Sequence, residues 1–153
     1  MGEGGHTKQC LRLIELMGTA DYRYSYVVVS GDQVTRAKLS ASGPVYRVLR
    51  PGTIKSNRLV RLLLLPISTI QSAVAVARVR PDAVLSTGPG VAVPVCAAAK
   101  LVGARIIFVE DFCRVRRLSL TGRLMRWLAD LYFVQWEDLR PAVPRAVYAG
   151  RVY

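Results

Sequence analysis

Short runs of β-branched and aromatic residues alternate along this chain with longer stretches whose apolar positions fall three and four apart. Leu11, Leu13, Ile14, Leu16 and Met17 have helical spacing, and Gly18 is a stop. Tyr24–Val29 reads as a buried strand that ends at Ser30-Gly31-Asp32. Val45–Leu49 reads as a second, closed by Arg50-Pro51-Gly52. Asn57 is placed to cap a long helix that runs to about Val79. Asp82–Ser86 is a third strand, followed by the Gly88-Pro89-Gly90 turn. Val91–Val102 is a helix of small residues ended by Gly103. Arg105–Val109 is a fourth strand, Leu120–Asp130 an amphipathic helix, and Tyr132–Gln135 and Ala146–Tyr148 two last short strands.

Strands that alternate with helices predict an α/β fold, a Rossmann-like parallel sheet with helices on both faces. The length of 153 residues leaves room for a single domain over residues 1–153. In such sheets ligands bind beyond the carboxyl ends of the strands. The loops there are Gly2–His6, Gly31–Thr35, Thr87–Gly90 and Glu110–Arg117. One departure stands out. The glycine loop Gly2-Glu3-Gly4-Gly5-His6-Thr7 follows only Met1, where a doubly wound sheet places a central strand. The expectation is that the first strand is missing and the chain start truncated.

Charge narrows the partners. Lys and Arg number 22 against 10 acidic residues, a net charge of +12, which calls for an anionic partner. Three distant cysteines, Cys10, Cys96 and Cys113, and one histidine make no zinc constellation and fit a reducing compartment. Neither charge-free run is a span, since Pro66 and several polar residues interrupt one and Gly88-Pro89-Gly90 breaks the other. The first residues are loop chemistry, not a secretory signal.

The candidate chemistry gathers in the loops. The N-terminal loop fails the dinucleotide fingerprint, because Thr7 stands where a third glycine belongs. A small-residue helix start remains, which favours an anion. His6 at its mouth is either a base for a sugar hydroxyl or a capping residue. Gly88 and Gly90 make a second tight turn, which a plain strand-to-helix connection also explains. Glu110 and Asp111 follow the fourth strand and can bind hydroxyls or act as a base; a salt-bridged or capping pair is the alternative. Arg114, Arg116, Arg117, Arg123 and Arg126 lie together with no acidic residue among them, as forks for phosphate oxygens or as a solvated face. Four consecutive leucines, Leu62 to Leu65, sweep roughly 300° of a helical wheel and cannot all face one core. With Arg58 and Arg61 beside them, Leu62, Leu64 and Leu65 read as a contact with an anionic membrane surface. Burial inside the domain and a protein interface are the alternatives.

Val84-Leu85-Ser86-Thr87-Gly88-Pro89-Gly90, Ile107 to Val115, Leu118-Ser119-Leu120-Thr121-Gly122 and Val134-Gln135-Trp136 resemble the acceptor-side subunit of the two-chain UDP-N-acetylglucosamine transferase of lipid-linked oligosaccharide synthesis. Its relatives serve in bacterial exopolysaccharide assembly. Gly4-Gly5-His6-Thr7 is similar to the family's N-terminal glycine loop. The resemblance implies the N-terminal, acceptor-binding half of a GT-B glycosyltransferase, with a separate subunit binding the UDP-sugar. It implies inverting transfer to a polyprenyl-diphosphate-linked sugar, with His6 or Glu110 as the base. Gly4, Gly5, Thr7, Gly88, Gly90, Asp111, Arg114 and Arg116 would contact the acceptor and its diphosphate. The tail, Tyr148, Gly150, Arg151, Val152 and Tyr153, would dock to the partner. No cofactor, metal or nucleic acid is expected. The place implied is peripheral, on the cytoplasmic face of a bacterial inner membrane, or of the endoplasmic reticulum in a eukaryote. Two other readings stay open: a non-catalytic scaffold that recruits the partner to the membrane, and a basic nucleic-acid-binding domain.

Overall fold

The computed structural model describes residues 5–32, 39, 42–50 and 58–152, the side chains of 58–62 excepted. Asn57, Gly4 and Tyr153 lie outside the described residues. The described residues form, in chain order, α1 (Gly5–Met17), β1 (Tyr26–Val29), β2 (Val45–Val48), α2 (Arg58–Val79), β3 (Ala83–Ser86), α3 (Ala92–Leu101), β4 (Arg105–Val109), α4 (Leu120–Leu128), β5 (Leu131–Val134) and β6 (Val147–Tyr148). A 3₁₀ helix, Glu137–Ala142, joins the last two strands. All pairings are parallel. β1 pairs with β2, and β3-β4-β5-β6 form a second sheet in that order.

The two sheets are separated by an apolar cleft of about 960 Å³, lined by Tyr26 and Val27 of β1, Val84 of β3, and Ile14, Val76 and Val95 from helices. Among the described residues no strand bridges it. The break falls where a central strand leading into the glycine loop was expected. It is also where the strand order reverses, the place at which open α/β sheets bind their ligands.

The larger core fills the space between the second sheet and its helices. Ile106 and Phe108 of β4, Tyr132 and Val134 of β5, Cys96 and Ala99 of α3, Met125 of α4 and Leu139 are buried there. β4 and β5 alternate sides, as pleated strands must. Burial pushes the Cys96 thiol up to about 12 and raises that of Cys10, so both remain protonated packing groups.

α2 is buried on an unusual side. Its inward positions are Ser68, Ser72, Ala75 and Val76, small residues that let α3 pack close to it. Ser72 and Thr69 satisfy their hydroxyls on carbonyls one turn back, Ser68 O and Leu65 O. The outward positions are Leu63, Ile67, Ile70 and Val74, at i, i+4, i+7 and i+11, with Leu65 beside them. An exposed leucine face was expected at Leu62, Leu64 and Leu65. Of these, Leu65 is exposed, Leu64 is half-buried and the Leu62 side chain lies outside the described residues, while the greasy face continues down the helix.

Asp130 anchors the lower end of β4. Its carboxylate accepts from the Ile106 amide at 2.8 Å and pairs with Lys100 Nζ at 2.9 Å. The amide bond, then the lysine, hold its pKa below the ordinary carboxylate value. A depressed native pKa means stability that is present above about pH 4 and lost as pH falls through the native value. In urea titrations Asp130→Asn should cost about 1 kcal/mol at neutral pH. The variant should also lose that part of the wild type's acid sensitivity.

Candidate functional site

The start of α1 meets two loops at the carboxyl ends of β3 and β4. α1 begins at Gly5, so His6 sits in its first turn rather than in a loop. Thr87, just past β3, closes a reciprocal pair with it: Thr87 Oγ1 donates to the His6 carbonyl at 2.8 Å, and His6 Nδ1 lies 2.7 Å from the Thr87 carbonyl oxygen. A carbonyl only accepts, so Nδ1 carries the proton and Nε2 of the neutral ring keeps its lone pair. Nε2 faces Asp111 Oδ2 at 3.5 Å, with both side chains partly open to solvent. The ring is thus fixed in tautomer and aim by the backbone. A carboxylate waits beside the nitrogen that would take up a proton.

Gly88 is needed for the turn: its φ is +102°, a conformation that side-chain-bearing residues rarely adopt, while a Cβ there would make only ordinary contact with the His6 ring at 3.4 Å. Gly90 has open space around it.

Glu110 and Asp111 are neighbours in sequence but point opposite ways. Asp111 is held outward by its own turn: its Oδ1 accepts from the Cys113 amide at 3.1 Å, and its carbonyl from the Arg114 amide at 2.9 Å. Glu110 is fully buried. Its Oε1 accepts from the Asp111 amide at 3.0 Å and its Oε2 from the Tyr132 hydroxyl at 3.0 Å. A carboxylate so enclosed does not reach a substrate outside the protein, and this corrects the expectation that Glu110 is a candidate base. Burial, then the Glu110 charge, raises the Tyr132 pKa strongly, so the phenol stays protonated and donates. Tyr132→Phe leaves Oε2 without its donor. It should cost about 1–3 kcal/mol in denaturant unfolding.

The same buried group ties the site to the chain's end. Gln9 Nε2 of α1 and Gln135 Nε2 both donate to the Glu110 carbonyl, at 3.1 and 2.8 Å. Gln135 Oε1 in turn accepts from the Val152 amide at 3.0 Å. Trp136 donates to the Phe112 carbonyl at 2.7 Å, and the Arg151 guanidinium lies 3.9 Å over its ring. The residues expected to face a partner therefore also bind their own chain. Arg151 and Val152 lie on Trp136 and Gln135, while Tyr148 and Gly150 are exposed.

Of the remaining candidates, Gly5 is exposed at the helix start, Thr7 is buried, and Arg114 and Arg116 stand exposed on the loop after Asp111. The side chains of Arg58, Arg61 and Leu62 lie outside the described residues. Sequence reasoning missed Gln9, Tyr132 and Gly122 as supports of the site. Thr87 had a signal, as the polar residue that joins a buried strand to a glycine turn. Among the described residues no group of three or more His, Cys, Asp or Glu is arranged to hold a metal, and no helix is long and apolar enough to cross a membrane.

A family profile described as "Oligosaccharide biosynthesis protein Alg14 like" matches residues 1–152. The chain belongs to the Alg14-like family. Mouse UDP-N-acetylglucosamine transferase subunit ALG14 is 33% identical, over 99% of this chain and 80% of that one. The human subunit is 31% identical over the same shares, and that of Saccharomyces cerevisiae 26% identical over 98% and 73%. Among solved structures, Acinetobacter baumannii MurG superposes with a TM-score of 0.73 at 16% identity, covering 98% of this chain and 42% of that one. The fold of this Alg14-like chain is therefore the Rossmann-like half of a GT-B architecture, as the sequence led us to expect.

Proposed function

We propose that this Alg14-like chain is the acceptor-side subunit of an inverting UDP-N-acetylglucosamine-dependent transferase. It binds a polyprenyl-diphosphate-linked sugar at the cytoplasmic face of a membrane and recruits a second chain that holds the UDP-sugar. The observation that carries the reading is the meeting of His6, Thr87 and Asp111 at the sheet's switch point, in a domain that matches 42% of a GT-B chain. In the transfer, the acceptor hydroxyl attacks the anomeric carbon. The bond from that carbon to the diphosphate oxygen breaks, UDP leaves with the electron pair, and His6 Nε2 takes the hydroxyl proton. Asp111 stabilises the imidazolium so formed. Amide groups at the start of α1, with Arg114 and Arg116, face the acceptor diphosphate. No cofactor enters this scheme.

The exposed face of α2 supports peripheral attachment, since its apolar ridge follows Arg58 and Arg61 along the chain. The same face favours a second reading, in which the chain only brings its partner to the bilayer and does no chemistry. A reconstituted transfer assay with the partner subunit separates the two. Asp111→Asn should lower turnover about tenfold or more at unchanged complex formation if this chain supplies the base. A rate equal to wild type supports the recruiting role.

A further inference from the structure

We propose that the outward face of α4 is a second bilayer-docking element, one that selects an anionic leaflet. This rests on the membrane-associated reading above and adds a surface to it. Leu120, Leu124 and Trp127 fall at i, i+4 and i+7 and are 75%, 48% and 73% exposed. Three large apolar side chains on one nine-residue helix are a costly exposure in water.

The helix is not loosely placed. Ser119 Oγ caps it by accepting from the Gly122 amide at 2.8 Å, and its inner face, Gly122 and Met125, is buried. The ridge therefore points outward because the inner side is already filled.

Charge identifies the occupant. Arg117 precedes the ridge, and Arg123 and Arg126 lie on the helix beside it, all exposed. The Arg126 guanidinium sits 5.0 Å over the Trp127 ring, and Arg145 donates to the Arg126 carbonyl from the neighbouring turn. Residues 112–129 contain no acidic side chain. The acids that bound the segment are engaged: Asp111 faces His6 and Asp130 is paired with Lys100. Three apolar side chains set among exposed arginines are fewer than the apolar core of a stable protein interface provides. Leu and Trp set between arginines are the composition that lies in a headgroup layer, with the rings at acyl depth and the cations on phosphates. The ridge also begins just beyond the loop of Asp111, Arg114 and Arg116, so docking it would bring that loop to the lipid surface from which a lipid-linked acceptor emerges.

The test is vesicle binding by the intact chain with its partner subunit, on phosphatidylcholine alone and mixed with phosphatidylglycerol. Wild type should bind the mixed vesicles, and the Trp127 emission should shift to the blue. The double variant Arg123→Gln/Arg126→Gln should weaken that binding roughly thirty-fold. Leu120→Ser/Leu124→Ser should abolish the blue shift. Because these residues are exposed, thermal melting should match wild type and confirm folding. On α2, Leu63→Ser/Ile70→Ser serves as the comparison. If the α4 variants bind like wild type while the α2 variant does not, the inference is overturned and the membrane reading stands. If wild type ignores mixed vesicles, both fall. If the α4 variants keep vesicle binding but lose the partner subunit, α4 is a protein-docking face and the inference is overturned.

Discussion

Replacing His6 by asparagine should lower transfer by the reconstituted two-chain enzyme about 10²–10⁴-fold while leaving the fold intact. The asparagine amide can still donate to the Thr87 carbonyl, which His6 Nδ1 reaches at 2.7 Å, so the start of α1 stays tied to β3. What is lost is Nε2, the atom that faces Asp111. His6→Ala should be as slow and somewhat less stable, because the buried end of the Thr87 pair is then half satisfied. Turnover under saturating donor, together with a melting curve for each variant, checks both halves. A His6→Asn enzyme at wild-type rate would remove the chemistry from this chain.

The second large effect is on folding. A Cβ on Gly122 would overlap Oε2 of Glu110 and come within 2.7 Å of the Tyr132 hydroxyl oxygen. α4 packs this closely because its first turn lies directly on the buried carboxylate. Gly122→Ala must displace either the helix or Glu110, and Glu110 also accepts from the Asp111 amide. The expected cost is about 3 kcal/mol, a fall in melting temperature of roughly 5–10 °C. The test of mechanism is a double-mutant cycle. In a Glu110→Ala background the overlap with the carboxylate is gone and only the Tyr132 hydroxyl, the far end of a side chain, must give way, so Gly122→Ala should cost less there than in the wild type. An equal cost in both backgrounds would place the strain elsewhere.

The sequence made much of this fold legible for simple reasons. β4 was read correctly at Arg105–Val109 because five residues rich in β-branched and aromatic types stand between a glycine-ended helix and a pair of acids. The long helix ending at Val79 and the start of α4 at Leu120 followed from periodicity. α4 was expected to reach Asp130 but ends at Leu128, because Asp130 is taken up by the Ile106 amide. β1 was expected from Tyr24 but starts at Tyr26, where its pairing with Val45 begins. The 3₁₀ helix Glu137–Ala142 was not foreseen, since six residues containing Pro141 carry no periodic signal.

The site was legible in composition but not in direction. His6, Gly88 and Asp111 could be picked from their loops. That Glu110 turns inward while Asp111 turns outward could not, because either carboxylate suits a strand end; the decision came from Tyr132 and Gly122, both far along the chain. The extent of the exposed face on α2 was hidden in the same way. Four leucines beside Arg58 and Arg61 pointed to an exposed patch, and Leu63 and Leu65 are exposed, but the rest of the face was not legible. The structure buries serines and alanine on α2 instead, because small residues let α3 approach, and this turns Leu63, Ile67, Ile70 and Val74 outward. The inner side of a helix is set by what fits as much as by what is greasy.

The central claim is that this chain is half of a transferase and contributes a base to it. The most direct test is transfer of labelled N-acetylglucosamine from its UDP conjugate to a polyprenyl-diphosphate-linked sugar, with each subunit alone, with both, and with His6→Asn in this chain. The account predicts product only when both chains are present, and almost none with His6→Asn despite an intact heterodimer. Full transfer by the partner alone, or by the complex carrying His6→Asn, would contradict it.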